Sequence, residues 1–212
     1  GDLHFHFRSF NNWGMCFDMA GEISKVLDPV AECLEEIHGF RYWDGRSILG
    51  FVDGTENPQG ERQRARFGLV ADEDSAYQGG SYLFVQKYIH DLKAFNAMSI
   101  SDQEAVFGRH KANDIEMSDD VKPKNSHSAV ANVGDDLKVI RDNMPFGNMA
   151  KNEMGTYFIA YANTFSTLKK MLNNMFLGTP DADYDRILDF STTKTGTLFF
   201  VPTMDMLGEF GG

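Results

Sequence analysis

GSYLFV, residues 80–85, is the most informative stretch for predicting the fold, because a close variant of it recurs as GTYFIA at 155–160. Each copy starts with glycine and continues in aromatic and apolar residues, which is typical of a strand that follows a turn. A helix-like stretch follows the first copy at 91–107, and an amphipathic helix follows the second at 164–177. The repeat therefore predicts two successive strand–helix units.

Two further strands complete the repeat, one at 138–141 and one at 196–202, while 109–134 is a polar connecting stretch. Residues 80–202 then follow the order β-α-β-β-α-β, which is the ferredoxin-like plan. The predicted fold class is therefore α+β, with an antiparallel sheet and helices packed outside it.

Residues 1–53 look like the second half of an earlier copy of the same plan. Residues 1–10 alternate apolar and polar side chains as a strand does, and 13–37 carries apolar residues at helical spacing, with a break predicted near Pro29. Residues 38–53 return to strand-like sequence. We expect duplicated ferredoxin-like halves, with the upstream β-α-β of the first half lying outside this chain.

The domain organisation follows from this duplication. Residues 59–76 are polar and are predicted to form a solvated linker. Residues 1–75 would be the second half of an N-terminal ferredoxin-like domain with its linker. Residues 76–212 would be the C-terminal ferredoxin-like domain.

Composition excludes some partners. The net charge of −11 argues against nucleic acid, which needs a basic footprint, and against an anionic membrane surface. No apolar run reaches the roughly 18 residues of a membrane span.

Cys16 and Cys33 fall in one predicted helix without a CxxC spacing, which favours a reducing compartment and a cytoplasmic location. The 18 Phe and seven Tyr suit a core around a flat apolar ligand, although a Phe-packed core without a ligand explains them better on composition alone.

The first candidate site residue is Asp53, in ILGFVDGTENP at 48–58. An apolar run ends in this single acid, and turn residues follow, which predicts that Asp53 lies at a strand's end beside the core. A carboxylate in that position either caps the turn or takes part in chemistry, because its partial burial needs compensation. The local sequence does not separate the two.

Among six histidines, His127 differs from the rest because it lies where a polar loop, NSHSAVAN at 125–132, runs into small apolar residues. A histidine there can offer one nitrogen to a cofactor and hydrogen-bond the other. A simple surface histidine remains the alternative. His4 and His6 alternate in the first predicted strand, but no third ligand at matching spacing supports a metal pair.

Arg141 and Asn143 form the third candidate. Both residues come at the end of a predicted strand. Because side chains two residues apart in a strand point to the same face, the pair could hold an oxyanion or a polar small molecule there. The alternative is a surface salt bridge with one of 31 acids. Arg109 lies in a basic cluster with His110, which suggests an anion site.

In this order, Asp53 in GFVDGTENP, His127 in NSHSAVAN and Arg141 in IRDNMPFG resemble the dye-decolorising (DyP-type) haem peroxidase family. The resemblance covers essentially the whole chain and implies a haem b cofactor, with His127 as the proximal ligand of the iron. It places Asp53 and Arg141 on the distal side. It also places further residues beside the cofactor: Asn143 next to the distal pair, Arg109 at a haem propionate, and Gly54, Thr55 and Glu56 in the turn.

The resemblance implies an enzyme that reduces hydrogen peroxide and oxidises dyes, phenols or other small aromatic reductants. It also implies a homo-oligomer. Two alternatives stay open at this point. One is a haem-binding or haem-handling protein of the same fold with little peroxidase turnover, and the other is a non-catalytic ferredoxin-like binding module.

Overall fold

The computed structural model describes residues 1–209. The chain divides into two compact units, residues 1–38 and the chain from Gly39 onward. The predicted domain division between residues 75 and 76 stays a prediction.

The first unit contains one helix, α1 (Trp13–Leu27). Asn12 caps its start, because the side-chain oxygen accepts a hydrogen bond from the N–H of Met15 at 3.3 Å. The helix stops at Asp28, directly before Pro29, which has no N–H to continue the hydrogen-bond ladder. The break predicted near Pro29 is confirmed.

Two other predictions for this unit are wrong. Residues 1–10 form no strand, and residues 31–37 are not helical, so Cys33 lies outside the helix that contains Cys16. Both cysteines are free thiols. In residues 1–38, all of which the structure describes, no residue is buried. An alternating or helical pattern forms its element only where a neighbouring strand or a packing surface supports it, and local sequence cannot supply either.

The second unit is built on an antiparallel sheet. Its strands among the described residues are β1 (Ser81–His90), β2 (Ile140–Arg141), β3 (Met144–Asn148), β4 (Glu153–Ala162), β5 (Ser191–Thr193) and β6 (Thr197–Val201). β1 and β4 form the centre, with Val85 opposite Ile159. β2 and β3 pair with the outer side of β4, and β5 and β6 pair with the outer side of β1. This order is the ferredoxin-like one, so the α+β prediction is confirmed.

Six α-helices accompany the sheet in the described part of this unit: α2 (Gly60–Gly68), α3 (Leu92–Asn96), α4 (Ile100–Phe107), α5 (His127–Val130), α6 (Phe165–Leu177) and α7 (Met204–Glu209). The helix predicted at 164–177 is confirmed as α6. The one predicted at 91–107 is two helices, because Asp91 and Ser99 each start a new one by accepting a backbone N–H at 2.9 and 3.1 Å.

Two stretches before β1 differ from their predictions. The predicted linker contains α2, whose Phe67 is buried and whose Gly68 packs against the side chain of Ile140. Residues 38–53 form no strand, but a short 3-10 turn and a loop closed by one bridge between Arg46 and Val52. The loop replaces a strand because Gly50, at a φ of +92°, reverses the chain, and Arg46 donates a hydrogen bond to its carbonyl at 2.8 Å.

The core has two parts that matter for the site. One lies between the sheet and α6, and its buried members are Phe84, Val130, Val139, Ala160, Ala162, Leu168, Met171 and Met175. The other joins α3 and α4 to the loop before Asp53 through Leu49, Phe51, Phe95, Val106 and Phe107. Phe51 and Phe107 stack with their ring centroids 3.9 Å apart. The burial of Leu49 and Phe51 therefore anchors the loop that carries Asp53.

His90, the last residue of β1, is expected to make the stability of this fold depend on pH. Its ring nitrogens bond to the hydroxyls of Ser191 at 2.8 Å and Thr156 at 2.9 Å. Burial lowers the pKa of His90 from 6.5 to about 4. At a pH between about 4 and 6.5, His90 is protonated in the unfolded chain but not in the folded chain. The free energy of unfolding is therefore expected to fall by about 3 kcal/mol as the pH drops from 7 to below 4.

Urea unfolding at pH 7, 5.5 and 4 measures this effect. His90→Gln keeps hydrogen-bonding capacity but cannot titrate, so it should lose most of this pH dependence. His110→Gln, at an exposed histidine, should retain it. Equal slopes in wild type and His90→Gln would contradict the assignment to His90.

Candidate active site

Asp53 begins a tight turn, residues 53–57, rather than ending a strand as predicted. Its backbone N–H donates to the carbonyl of Gly45 at 3.1 Å. Its two carboxylate oxygens accept hydrogen bonds from Nδ2 of Asn143 at 3.1 and 2.9 Å. Asn143 is fixed in turn, because its Oδ1 accepts the N–H of Ile159 at 3.2 Å. The carboxylate is therefore held from the sheet, although 90 residues separate the two partners in sequence.

Arg141 ends the short strand β2 and lines the same pocket as Asp53. Its guanidinium has no hydrogen-bond or ion-pair partner among residues 1–209. Its backbone, by contrast, is held firmly, since Asn57 bonds both its N–H and its C=O at 2.8 and 2.7 Å. Asn57 could not be selected from the sequence, because asparagine in a turn is expected for local reasons.

His127 is the first residue of α5 and is partly buried. Its Nδ1 lies 2.7 Å from Oδ2 of Asp185, a carboxylate with 0% exposed surface. The other oxygen of Asp185 accepts the N–H of Ile187 at 3.0 Å. Nε2 of His127 has no partner in the described part of the chain. A buried carboxylate on Nδ1 fixes the ring and leaves Nε2 as the lone-pair nitrogen.

Asp185 was missed in the sequence. It is one of three aspartates in the segment 181–185, and nothing in their local pattern distinguishes it. Only its burial and its pairing with a histidine 58 residues away reveal its role.

Arg109 lies among acids. It contacts both the side chain and the carbonyl of Asp114, at 3.0 and 2.7 Å. Its Nη1 donates to Glu56 at 3.1 Å and to Glu116 at 3.3 Å. Thr55 also donates to Asp114, at 2.5 Å. Arg109 therefore ties the 53–57 turn to the loop after α4, and one N–H of its five is left uncommitted.

Two titratable groups near these residues have shifted pKa values. Burial, and then the charge of Asp185, raise the pKa of Tyr88, which stays protonated and donates to Oε1 of Gln86 at 2.5 Å. The hydrogen bond from Lys122 to Glu116 raises the pKa of that lysine. Both shifts favour the protonated donor that the geometry requires.

A pocket brings most of the predicted residues together. Asp53, Gly54, Thr55, Glu56, Arg109 and Arg141 all line it, while His127 and Asn143 do not line it themselves. Ser128, the neighbour of His127, does line it, and its hydroxyl is buried without a partner among the described residues. The apolar part of the lining comes from Val52, Ala131, Val133, Leu137, Val139 and Met171, and further polar or charged groups come from Glu116, Asn132, Asp135 and Lys138. The pocket thus joins charged groups to an apolar wall, as small-molecule sites do.

Two features are absent from residues 1–209. No group of three or more His, Cys, Asp or Glu side chains could hold a metal ion. No helix in this part combines the length and the apolar character needed to cross a bilayer.

The protein is therefore a ferredoxin-like α+β domain in which an acid and an arginine line one pocket, and a histidine–aspartate pair lies next to Ser128 of the pocket wall. Residues 44–206, most of the chain, match the family model described as "Dyp-type peroxidase, C-terminal". The chain belongs to the Dyp-type peroxidase family, which confirms the resemblance seen in the sequence.

Known relatives agree with this assignment. The chain is 49% identical, over 99% of its length, to a dye-decolorizing peroxidase of Mycolicibacterium paratuberculosis, of which it covers 60%. It matches the crystal structure of a dye-decolorizing peroxidase from Bacteroides thetaiotaomicron with a TM-score of 0.91 and 56% identity, covering 94% of this chain and 64% of that one. A DypB variant of Rhodococcus jostii in complex with haem matches with a TM-score of 0.89 and 47% identity, covering 92% of this chain and 64% of that one. The chain spans about six-tenths of the length of these relatives.

Proposed function

We propose that the protein is a haem peroxidase that reduces hydrogen peroxide and oxidises dyes, phenols or other small aromatic reductants. The observation that carries this proposal is the combination of an unpaired arginine and an anchored carboxylate in one pocket with a histidine whose Nδ1 is held by a buried aspartate. The three residues concerned are Asp53, Arg141 and His127. Family membership and a relative's structure with haem support the same proposal.

The donor set suits haem b. His127 would be the protein ligand of the iron, because Asp185 occupies its Nδ1 and its Nε2 has no protein partner. A haem iron needs a single histidine from the protein, so no cluster of ligands is required. When bound, the haem supplies a redox centre for the reduction of peroxide. The buried carboxylate of Asp185 would hold the His127 ring in one orientation.

Asp53 would act on the peroxide protons. Its carboxylate would accept the proton of one peroxide oxygen and donate it to the other, which leaves as water. This role requires a carboxylate whose orientation is fixed, and the two hydrogen bonds from Asn143 provide that. Asn143 would therefore position the carboxylate of Asp53.

Arg141 would stabilise the negative charge that develops on the oxygens as their bond breaks. Its guanidinium is suited to this because it forms no ion pair with a carboxylate of residues 1–209. In the whole reaction, hydrogen peroxide gains two electrons and two protons from two molecules of a phenol and becomes two molecules of water.

Arg109 and the turn residues would face the edge of the cofactor. The N–H of Arg109 that the protein does not use could bind a haem propionate. Gly54, Thr55 and Glu56 line the same pocket and would contact the cofactor from the turn.

We also propose a cytoplasmic location and a homo-oligomer. Two free thiols, Cys16 and Cys33, suit a reducing compartment. Exposed apolar side chains on α1, including Trp13, Met15, Phe17 and Val26, suit a surface that meets another subunit.

The function is tested by titrating the purified chain with haemin and then measuring peroxide-dependent oxidation of a small phenol and a dye. We expect saturable binding of about one haem per chain, and turnover that Asp53→Asn lowers by roughly 100-fold or more. Asp44→Asn, at an aspartate in the 3-10 turn, is the matched control and should leave turnover unchanged.

Each contrary result identifies one alternative. Haem binding without peroxide-dependent oxidation would favour a haem-handling protein. Failure to bind haem at all would favour a non-catalytic binding module. Either result would overturn the proposed peroxidase.

A further inference from the structure

We propose that Asn57 is a positioning residue that holds Arg141 in register with the turn that carries Asp53, an inference that rests on the function proposed above. Asn57 ends the 53–57 turn and is half-buried. Its side-chain amide meets the backbone of Arg141 at two points. Nδ2 donates to the carbonyl oxygen of Arg141 at 2.7 Å, and Oδ1 accepts the N–H of Arg141 at 2.8 Å.

This two-point contact replaces a missing strand. Arg141 lies opposite Ala160 in the pairing of β2 with β4, and its own N–H and C=O are directed to Asn57 instead. A primary amide carries a donor and an acceptor side by side, as a neighbouring backbone would. Without the Asn57 amide, the partly buried N–H and C=O of Arg141 would lose their hydrogen-bond partners. The strand β2 is only two residues long, so it has few other hydrogen bonds to keep Arg141 in place.

A backbone hydrogen bond closes the turn and holds Asn57 close to the residue that follows Asp53. The N–H of Asn57 donates to the carbonyl of Gly54 at 3.0 Å. Gly54 has a φ of +76°, and a Cβ there would lie 3.1 Å from Nδ2 of Asn57. The glycine therefore serves both the turn and the close approach of the amide.

The sheet thus holds both ends of the turn. Asn143 binds the carboxylate of Asp53 at one end, and Asn57 binds the backbone of Arg141 at the other. A shift of the turn would change the distance between the carboxylate and the guanidinium. Asn57 itself would not touch peroxide, and its effect would pass through the placement of Arg141.

Hydrogen exchange tests the contact without any cofactor. In Asn57→Ala, the amide of Arg141 should exchange at least about 10-fold faster, because its acceptor is gone. The amide of Asp142, which donates to Ile159 at 2.9 Å, should keep its protection and serves as the internal control. Unchanged exchange at Arg141 would overturn the inference. Should Asn57→Ala not fold, Asn57→Asp retains the acceptor but loses the donor, and the carbonyl of Arg141 alone then lacks a partner.

Kinetics with the haem-loaded protein tests the consequence. Asn57→Ala should slow the reaction with hydrogen peroxide by roughly 10- to 100-fold, the cost of a small misplacement of a reacting group. In a double-mutant cycle, Asn57→Ala should cost nothing further once Arg141 is leucine, because Asn57 acts through it. Asn163→Ala, which removes another side-chain bond to a backbone carbonyl, is the control and should react normally.

The outcomes separate two failures. Normal kinetics of Asn57→Ala beside a slow Arg141→Leu would overturn the positioning role alone. Additive losses in the double mutant would also overturn it, since they indicate a general structural effect. Normal kinetics of Arg141→Leu would instead overturn the proposed function of Arg141.

Discussion

Replacing Arg141 by leucine is expected to slow the reaction of the haem-loaded protein with hydrogen peroxide by about 100- to 1,000-fold. The guanidinium lines the pocket with Asp53 and has no partner among residues 1–209, so its charge is free to act on a bound anion. Losing one preorganised donor of this kind costs about 3 to 4 kcal/mol of transition-state stabilisation. Stopped-flow absorbance at increasing peroxide concentration gives the second-order rate constant.

Two further variants sharpen this measurement. Arg141→Lys retains a positive charge without the planar fork and should lie between wild type and the leucine variant. Arg62→Leu, at an exposed position of α2, changes the net charge equally and should leave the rate constant as it is. A leucine variant as fast as wild type would rule out the proposed role of Arg141.

Replacing His127 by alanine is expected to weaken haem binding by at least about 100-fold and to remove the spectrum of a histidine-ligated iron. The reason is that the side chain would supply the protein's bond to the iron, and Asp185 cannot replace it from its buried position. Asp185→Asn removes only the charge behind the ligand and should cost about 10- to 100-fold in affinity. Haemin titrations followed by absorbance measure both.

His110→Ala is the matched control for this test. His110 also lies beside a carboxylate, that of Glu104 at 3.0 Å, but it is about half exposed and does not line the pocket. Its variant should bind haem as wild type does. Retention of a histidine-ligated spectrum by His127→Ala would exclude His127 as the ligand.

The elements predicted well from sequence are those with long, strongly apolar patterns. β1 and β4 are ten residues long and central, and α6 buries a full face against the sheet, so local pattern and tertiary packing agree. The short edge strands β3 and β5 were missed, because a few residues carry too little pattern. The helix α2 was missed because its charged residues resemble a linker until Phe67 is seen to be buried.

The residues of the candidate site also fall into two groups, those that could be predicted from the sequence and those that could not. Asp53, His127 and Arg141 could be selected because each lies where an apolar stretch meets polar residues, and because their motifs together resemble a known family. The residues that hold these three in place could not be selected from the sequence. Asn57 and Asp185 look like ordinary turn residues, and their partners are 84 and 58 residues away in the chain.

The α+β class, the β-α-β-β-α-β plan of residues 80–202 and the family could be predicted from the sequence alone, since these depend on repeated patterns and on motifs that local residues carry. The three-dimensional arrangement was needed to see that Asn143 holds Asp53, that Asn57 holds Arg141 and that Asp185 holds His127. The physical reason is that each of these bonds joins segments brought together by packing. A polar side chain gains a specific partner only where burial removes water as the competing one.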